Sequence, residues 1–283
     1  MRKDCEHDDD GQLMAIHPRV SVNPMTTIAM PLHEAADLWV SLGTTRVGLN
    51  ARQLDAMGWA EAIAIVQRAA LDVVYLNYGP SARVDDADAW RHDEAVLLQA
   101  VDAACALGAR CVYLCTGSPG TCLWEAAVTH LGSRLAPVID RARERGVRIT
   151  IEPCVSSRPE LGFLHTVRDA LVVAERFDIG VCVDLYACWM EPQLASLLRD
   201  HLDRIDLVQI SDFVVGTLNQ PNRWVPGDGD LPLGALLDLL ATSGYQGVID
   251  LELLGPRIDE EGAASALRRG TDWLTRELNA RGM

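Results

Sequence analysis

The 283-residue sequence predicts an α/β protein, a single-domain (β/α)8 TIM barrel, and three observations carry that reading. Eight short apolar, strand-like runs alternate with eight amphipathic stretches along the chain. Short links between such units imply parallel strands with helical crossovers. Several of the amphipathic stretches stop at a glycine (Gly43, Gly108, Gly146, Gly244) that is followed within a few residues by the next apolar run, as helix ends do. The length also suits one closed barrel of roughly 250 residues. The alternative, an open doubly wound sheet, usually announces itself with a glycine-rich turn after the first strand. Here the first run leads into Thr26-Thr27-Ile28-Ala29-Met30-Pro31, with no GxGxxG.

In chain order, the apolar runs place strands at Val20–Ile28, Thr45–Leu49, Asp72–Asn77, Cys111–Cys115, Arg148–Glu152, Gly180–Asp184, Leu207–Ile210 and Val248–Glu252. The amphipathic stretches between and after them place helices at Leu32–Leu42, Ala60–Ala70, Ala89–Leu107, Trp124–Arg145, Val167–Phe177, Gln193–Leu202, Leu233–Ser243 and Ala263–Arg281. Residues 1–18 read as a disordered polar tail, with the barrel over 19–283. The opening Met-Arg-Lys-Asp-Cys-Glu-His-Asp-Asp-Asp lacks the apolar stretch of a secretory signal. No linker, low-complexity tract or tandem repeat interrupts the pattern. No apolar run reaches the ~18 residues of a membrane helix.

Composition excludes several functions. Hydrophobic residues make up 49% of the chain and charged ones 23%, enough for a large core in a soluble globular protein. The formal net charge of −15 repels nucleic-acid phosphates and anionic lipid. Lys3, in the tail, is the only lysine. Schiff-base aldolase chemistry, pyridoxal phosphate catalysis and a Walker-type phosphate loop each need a lysine the barrel does not have. The eight cysteines form no CxxC pair, and Cys105, Cys111, Cys115, Cys154 and Cys182 sit in or beside apolar runs. They read as reduced core residues of a cytoplasmic protein.

In such a barrel the active site lies at the C-terminal ends of the strands. The fifth to eighth strands each deliver a polar residue out of an apolar run: Glu152, Asp184, Gln209 and Glu252. Any one acid could cap the following helix or pair with an arginine. Neighbouring buried carboxylates are expensive unless a cation compensates them. Carboxylate and amide oxygens are hard ligands, so one divalent ion of the Mn²⁺, Mg²⁺ or Co²⁺ kind is the expected cofactor.

The loop after the seventh strand, Pro221-Asn-Arg-Trp-Val-Pro-Gly-Asp-Gly-Asp230, carries two acids that make it a poor phosphate cradle, while Arg223 is a candidate to grip a substrate oxygen. His33 follows the first strand. Tyr78, Trp124, Tyr186, Trp189 and Trp224 follow the third, fourth, sixth and seventh. All are candidate substrate-binding residues, and the aromatics would suit a substrate with an apolar face.

Glu152-Pro, Asp184, the Gln209…Asp212 strand, Asn222-Arg223…Pro226-Gly-Asp-Gly229, Gly244-Tyr-Gln-Gly247 and Glu252 resemble the xylose isomerase-like (sugar phosphate isomerase/epimerase) TIM barrel superfamily. That group includes sugar isomerases, ketose 3-epimerases, inosose isomerases and dehydratases, 3-dehydroshikimate dehydratases and endonuclease IV. The likeness spans about residues 20–280 and is strongest from 147 to 255. It implies that Glu152, Asp184, Gln209 and Glu252 ligate the metal, and that Glu152 and Glu252 are the catalytic pair that moves protons.

This sequence departs from the family pattern at two places. Gln209 stands where histidine is usual, as in the 3-dehydroshikimate dehydratase branch. Ala187 replaces the histidine of Asp-x-x-His after the sixth strand. None of the seven histidines falls at a metal strand end, which argues against an endonuclease IV-like nuclease.

These readings converge on a divalent-metal-dependent isomerase or epimerase of a hydroxy-carbonyl substrate (a sugar, cyclitol or related ring). Proton abstraction beside the carbonyl would give a metal-stabilised enediolate. The alternative is a lyase of the 3-dehydroshikimate or inosose dehydratase type, because the same intermediate can expel a leaving group. A second alternative is a metal-binding accessory subunit without catalysis. A small-molecule substrate is the expected partner, with neither nucleic acid nor membrane, and a homodimer is possible.

Overall fold

The computed structural model describes residues 15–217 and 219–283. Eight parallel strands close on themselves in chain order: β1 (Val20–Val22), β2 (Arg46–Asn50), β3 (Asp72–Tyr78), β4 (Cys111–Leu114), β5 (Arg148–Ile151), β6 (Gly180–Asp184), β7 (Ile205–Ile210) and β8 (Ile249–Leu251). The closing pair is β1 with β8, in the register Val20↔Ile249 and Val22↔Leu251.

Around the barrel lie α1 (Leu32–Ser41), α2 (Ala51–Met57), α3 (Trp59–Arg68), α4 (Ala87–Leu107), α5 (Trp124–Arg145), α6 (Val167–Phe177), α7 (Leu185–Cys188), α8 (Leu194–Asp200), α9 (Leu233–Ser243), α10 (Pro256–Glu261) and α11 (Ala263–Arg281). The expected (β/α)8 barrel is the observed fold. Among the described residues, no helix is long and apolar enough to cross a membrane.

Local chemistry sets the element ends. The strand expected over Val20–Ile28 stops at Val22, because the Asn23 side chain accepts the Met25 N–H and Pro24 has no N–H for a ladder. A short 3₁₀ turn, Pro24–Thr27, takes its place. Helix α2 was not anticipated. Asn50 caps it through the Gln53 N–H, and Gly58, at φ +105°, separates it from α3. The expected helix Gln193–Leu202 shortens to α8. Of the expected tail, residues 1–14 lie outside the described residues. Ile16 packs against the core, and the His17 N–H donates to Thr275 Oγ1 at 3.1 Å.

Two cores result. The larger fills the layer between strands and helices. Helix α5 shows why, burying Val128, Leu131, Leu135, Val138 and Ala142 along one stripe. The smaller lies inside the barrel and comprises Tyr75, Cys111, Tyr113, Cys182 and Leu207, with the Tyr75 and Tyr113 ring centroids 4.9 Å apart. Gly48 on β2 makes room for it, since a Cβ there would lie 2.1 Å from the Tyr75 ring. This plug closes the barrel beneath the strand ends, so the site above has a solid, partly polar floor.

Candidate metal centre and active-site cavity

A cavity of about 410 Å³ opens at the C-terminal ends of the strands. Glu152, Asp184 and Glu252 line one side of it, each buried, and each offers an oxygen within 4.8 Å of the others. Ladder pairing carries past the strand ends to hold them there. The Glu152 N–H donates to the Leu114 carbonyl at 3.0 Å, and the Glu252 N–H donates to the Ile210 carbonyl at 3.1 Å. Asp184 ends β6 and caps α7 by accepting the Tyr186 N–H.

Arg223 faces this cluster. Its Nη2 lies 2.8 Å from Asp184 Oδ2 and 2.9 Å from Glu252 Oε2, while Nη1 donates to Ser211 Oγ at 3.1 Å. The guanidinium stacks 4.4 Å over the Tyr186 ring. Asp212 builds the loop that delivers it, accepting the Phe213, Gly227 and Leu231 N–H groups at 2.8, 2.9 and 3.1 Å. The Asp212 and Trp224 backbones pair across the loop, and the Arg223 N–H bonds the Leu254 carbonyl. The acid-rich loop is therefore a built support, with Asp212 as its hub.

One guanidinium does not balance three carboxylates. Burial pushes the Glu252 carboxyl up to about 7; Arg223 opposes the rise, while Asp184 and Asp250 add to it. Burial, Cys115 and the charges of Glu252 and Asp184 push Glu152 well above the usual carboxylate range. For Arg223, burial works against the charge, but Asp184 and Glu252 outweigh it and hold the guanidinium firmly cationic. Glu252 Oε2 is buried and makes no hydrogen bond despite its nearness to Arg223. Three buried hard oxygen donors, one without a hydrogen bond and two pushed toward protonation for want of positive charge, fit a divalent cation.

Gln209 does not join this cluster at the cavity wall. It is fully buried, and its amide is committed elsewhere: Oε1 accepts the Cys182 thiol at 3.3 Å, while Nε2 donates to Tyr113 Oη at 3.1 Å and Asp250 Oδ2 at 3.3 Å. The carboxylate of Asp250 also receives Ser21, Asn23 and Tyr75 at 2.5, 3.0 and 2.7 Å. Tyr113 lies at the top of this network and lines the cavity. Burial and the charges of Glu152 and Glu252 hold its phenol well above the ordinary tyrosine range.

Of the residues expected to bind substrate, Tyr78, Tyr186 and Arg223 line the cavity. His33 does not; its side chain is 62% exposed beside Glu34 on α1, which turns it to solvent. Trp124 and Trp189 are half-buried and pack against the hydrophobic core instead. Trp224 donates its indole N–H to Asn222 Oδ1 and lies beneath Arg257, outside the cavity wall.

Several lining residues were not anticipated: Asn50, Asn77, Tyr113, Cys115, Arg52 and Arg158. The strand-end rule that found the acids also points to Asn50, which ends β2, and to Asn77, one residue before the end of β3. Cys115 follows β4 and places its thiol 3.6 Å from Glu152 Oε2. Tyr113 is inside its strand, and no end rule finds it.

A closed parallel barrel with an acidic cluster at its C-terminal mouth defines a class of proteins, and comparison with known families names it. The family model of the xylose isomerase-like TIM barrel matches residues 34–277, and the chain belongs to that family. An inosose isomerase of Halalkalibacterium halodurans is 25% identical over 146 residues, covering 49% of this chain and 50% of its own. The chain thus spans about half the length of the curated relative it matches. A solved protein of Sinorhizobium meliloti 1021 is 26% identical with a TM-score of 0.81, covering 90% of this chain and 96% of that one. The IolI protein, solved with a bound zinc atom, shares the fold at a TM-score of 0.77 and 17% identity, covering 93% and 99%.

Proposed function

We propose that this protein is a divalent-metal-dependent isomerase or epimerase of a small hydroxy-carbonyl compound, a sugar, cyclitol or related ring. The carrying observation is the cluster of Glu152, Asp184 and Glu252 within 4.8 Å, buried and undercompensated by Arg223. The inosose isomerase relative and the zinc in a protein of the same fold support the reading.

Glu152, Asp184 and Glu252 would hold the ion, which when bound supplies Lewis-acid stabilisation of charge on substrate oxygen. Glu152 and Glu252 come from β5 and β8 and reach the cavity from different strands. Both carboxyls are pushed toward protonation, so they suit taking a proton from carbon and returning it. Arg223 would hold a second substrate oxygen, and Tyr78 and Tyr186 would wall off water. Re-protonation on the other face gives the epimer; on the adjacent carbon, it gives the isomer.

A lyase reading shares the abstraction step and differs only in the fate of the enediolate. Ala187 lines the cavity beside Asp184 and offers no acid or base there, so for a substrate with a leaving group on the next carbon the proton for that group would have to come from Glu152 or Glu252.

The test is hydrogen exchange. With Mn²⁺ in D₂O, an inosose or a ketohexose should take up deuterium at the carbon beside the carbonyl, and Glu152→Gln should slow the uptake about a hundredfold or more. Elimination products instead of exchange select the lyase. Neither exchange nor elimination across such a panel, with Glu152→Gln indistinguishable from the parent, overturns the enzymatic reading in favour of an accessory role.

A further inference from the structure

Tyr113 is 2% exposed, and its hydroxyl oxygen receives three N–H donors: Asn77 Nδ2 at 3.1 Å, Gln209 Nε2 at 3.1 Å and Asn23 Nδ2 at 3.3 Å. Each amide is locked in that orientation by a partner of its own. Asn23 Oδ1 accepts the Met25 N–H, and its Nδ2 also binds the Asp250 carboxylate. Asn77 Oδ1 accepts Asn50 Nδ2, and Asn50 cannot turn round because its Oδ1 caps α2 through the Gln53 N–H. Gln209 Nε2 binds Asp250 Oδ2, an oxygen that also accepts from Tyr75 Oη and Asn23 Nδ2.

None of the three amides can therefore present its oxygen to Tyr113. The phenol oxygen has two lone pairs, which the three N–H groups share, the Asn23 contact at 3.3 Å being the longest, and among the described residues no group accepts its own hydrogen. A buried hydroxyl hydrogen rarely goes without a partner. The cavity, which Tyr113 lines together with Glu152 and Glu252, is the direction left open.

We propose that Tyr113 is a substrate-contacting residue: its hydroxyl, set by Asn23, Asn77 and Gln209, donates a hydrogen bond to the substrate oxygen on which negative charge builds as the neighbouring C–H is removed. A donor fixed before substrate arrives needs no reorganisation as charge develops, and the amide N–H groups that face the phenol oxygen leave its hydrogen no acceptor within the protein. The inference also gives Gln209 a role suited to its observed contacts. It orients Tyr113, and its carbonyl is already engaged by Cys182.

The proposal rests on the isomerase reading for the nature of the substrate oxygen but not for the direction of the hydroxyl, and two measurements separate these. Neutron diffraction from the unaltered, deuterium-exchanged protein should place the Tyr113 hydroxyl deuterium toward the cavity. A deuterium directed at Asn23, Asn77 or Gln209, with that amide turned round, overturns the proposal whatever the protein catalyses.

Calorimetric titration of the Mn²⁺-loaded protein with glycolohydroxamate, a small mimic of an enediolate, provides the second. Tyr113→Phe, still able to take up Mn²⁺, should bind this probe about ten- to a hundredfold more weakly. Equal binding by Tyr113→Phe overturns the contact. If the unaltered protein ignores the probe, the isomerase reading fails, and the neutron result still decides the orientation of the donor.

Discussion

The two halves of the barrel meet one cavity with different chemistry. On the β1–β4 side stand Asn23, Tyr113, Asn77 and Asn50, all neutral, each hydrogen-bonded to the next in that order. On the β5–β8 side stand Glu152, Asp184 and Glu252, with Arg223 as the cation paired with Asp184 and Glu252. The exception is Asp250 on β8, a buried carboxylate that the neutral half satisfies with Ser21, Asn23 and Tyr75, together with Gln209. Hydrogen bonds within the protein complete the first half except at the Tyr113 hydroxyl, whose hydrogen is left for the cavity. The second keeps more acids than its one arginine can balance, and Glu252 Oε2 makes an ion pair but no hydrogen bond. The neutral half should thus be insensitive to pH and metal, and the charged half should answer to both.

The largest effect expected is on catalysis. Glu152→Gln keeps the shape of the charged half and removes its base, so deuterium uptake into a responsive substrate should fall about a hundredfold to ten-thousandfold. Stability should divide the halves next. In metal-free protein, Arg223→Met strands buried carboxylates and should lower the unfolding free energy by about 3–5 kcal/mol in urea titrations. Gln209→Leu should cost about 1–3 kcal/mol by leaving Tyr113 and Asp250 short of a donor. Added Mn²⁺ should restore much of the first loss and little of the second; equal recovery would erase the distinction.

A pH titration probes the same contrast at smaller scale. Glu252 rises from an ordinary carboxyl value to about 7 on folding, and Glu152 moves in the same direction. Between those values, the folded protein holds protons that the unfolded chain has released, so stability is full below the unfolded pKa and falls as pH climbs toward 7. The slope should be up to about 1.4 kcal/mol per pH unit for each such group, read from melting of metal-free protein. Saturating Mn²⁺ should flatten it. Smallest of all, Asn50→Ala removes the cap of α2 and a partner of Asn77, and should cost about 1 kcal/mol at every pH.

The charged half was the more legible in sequence. β6 and the long helices α5, α6, α9 and α11 have the expected bounds, because a long periodic pattern leaves little freedom. Glu152, Asp184 and Glu252 stood out as acids ending apolar strands, a placement that burial alone disfavours. The neutral half gave weaker signals. Asn50 stands at a strand end and Asn77 one residue short of one, but an amide there carries no comparable cost to flag it. Tyr113 reads as a β-former within an apolar run.

Gln209 marks the limit of the rule. Position along the strand was readable, but whether the amide faced the cavity or the plug depended on Cys182, Tyr113 and Asp250, which lie 27, 96 and 41 residues away in the chain. The three tryptophans and His33 fail for a related reason. Following a strand end places a residue near the mouth, but the core takes the side chains of Trp124 and Trp189, solvent takes His33, and Asn222 and Arg257 hold Trp224.

The most direct test of the metal centre is calorimetric titration of Mn²⁺ into metal-free protein at pH 6 and pH 8, beside Asp184→Ala. One ion should bind per chain. Its affinity should strengthen with pH, as Glu152 and Glu252 give up protons to it, and should be lost in the variant. An absence of binding, or binding that Asp184→Ala leaves unchanged, would contradict a centre built on Glu152, Asp184 and Glu252.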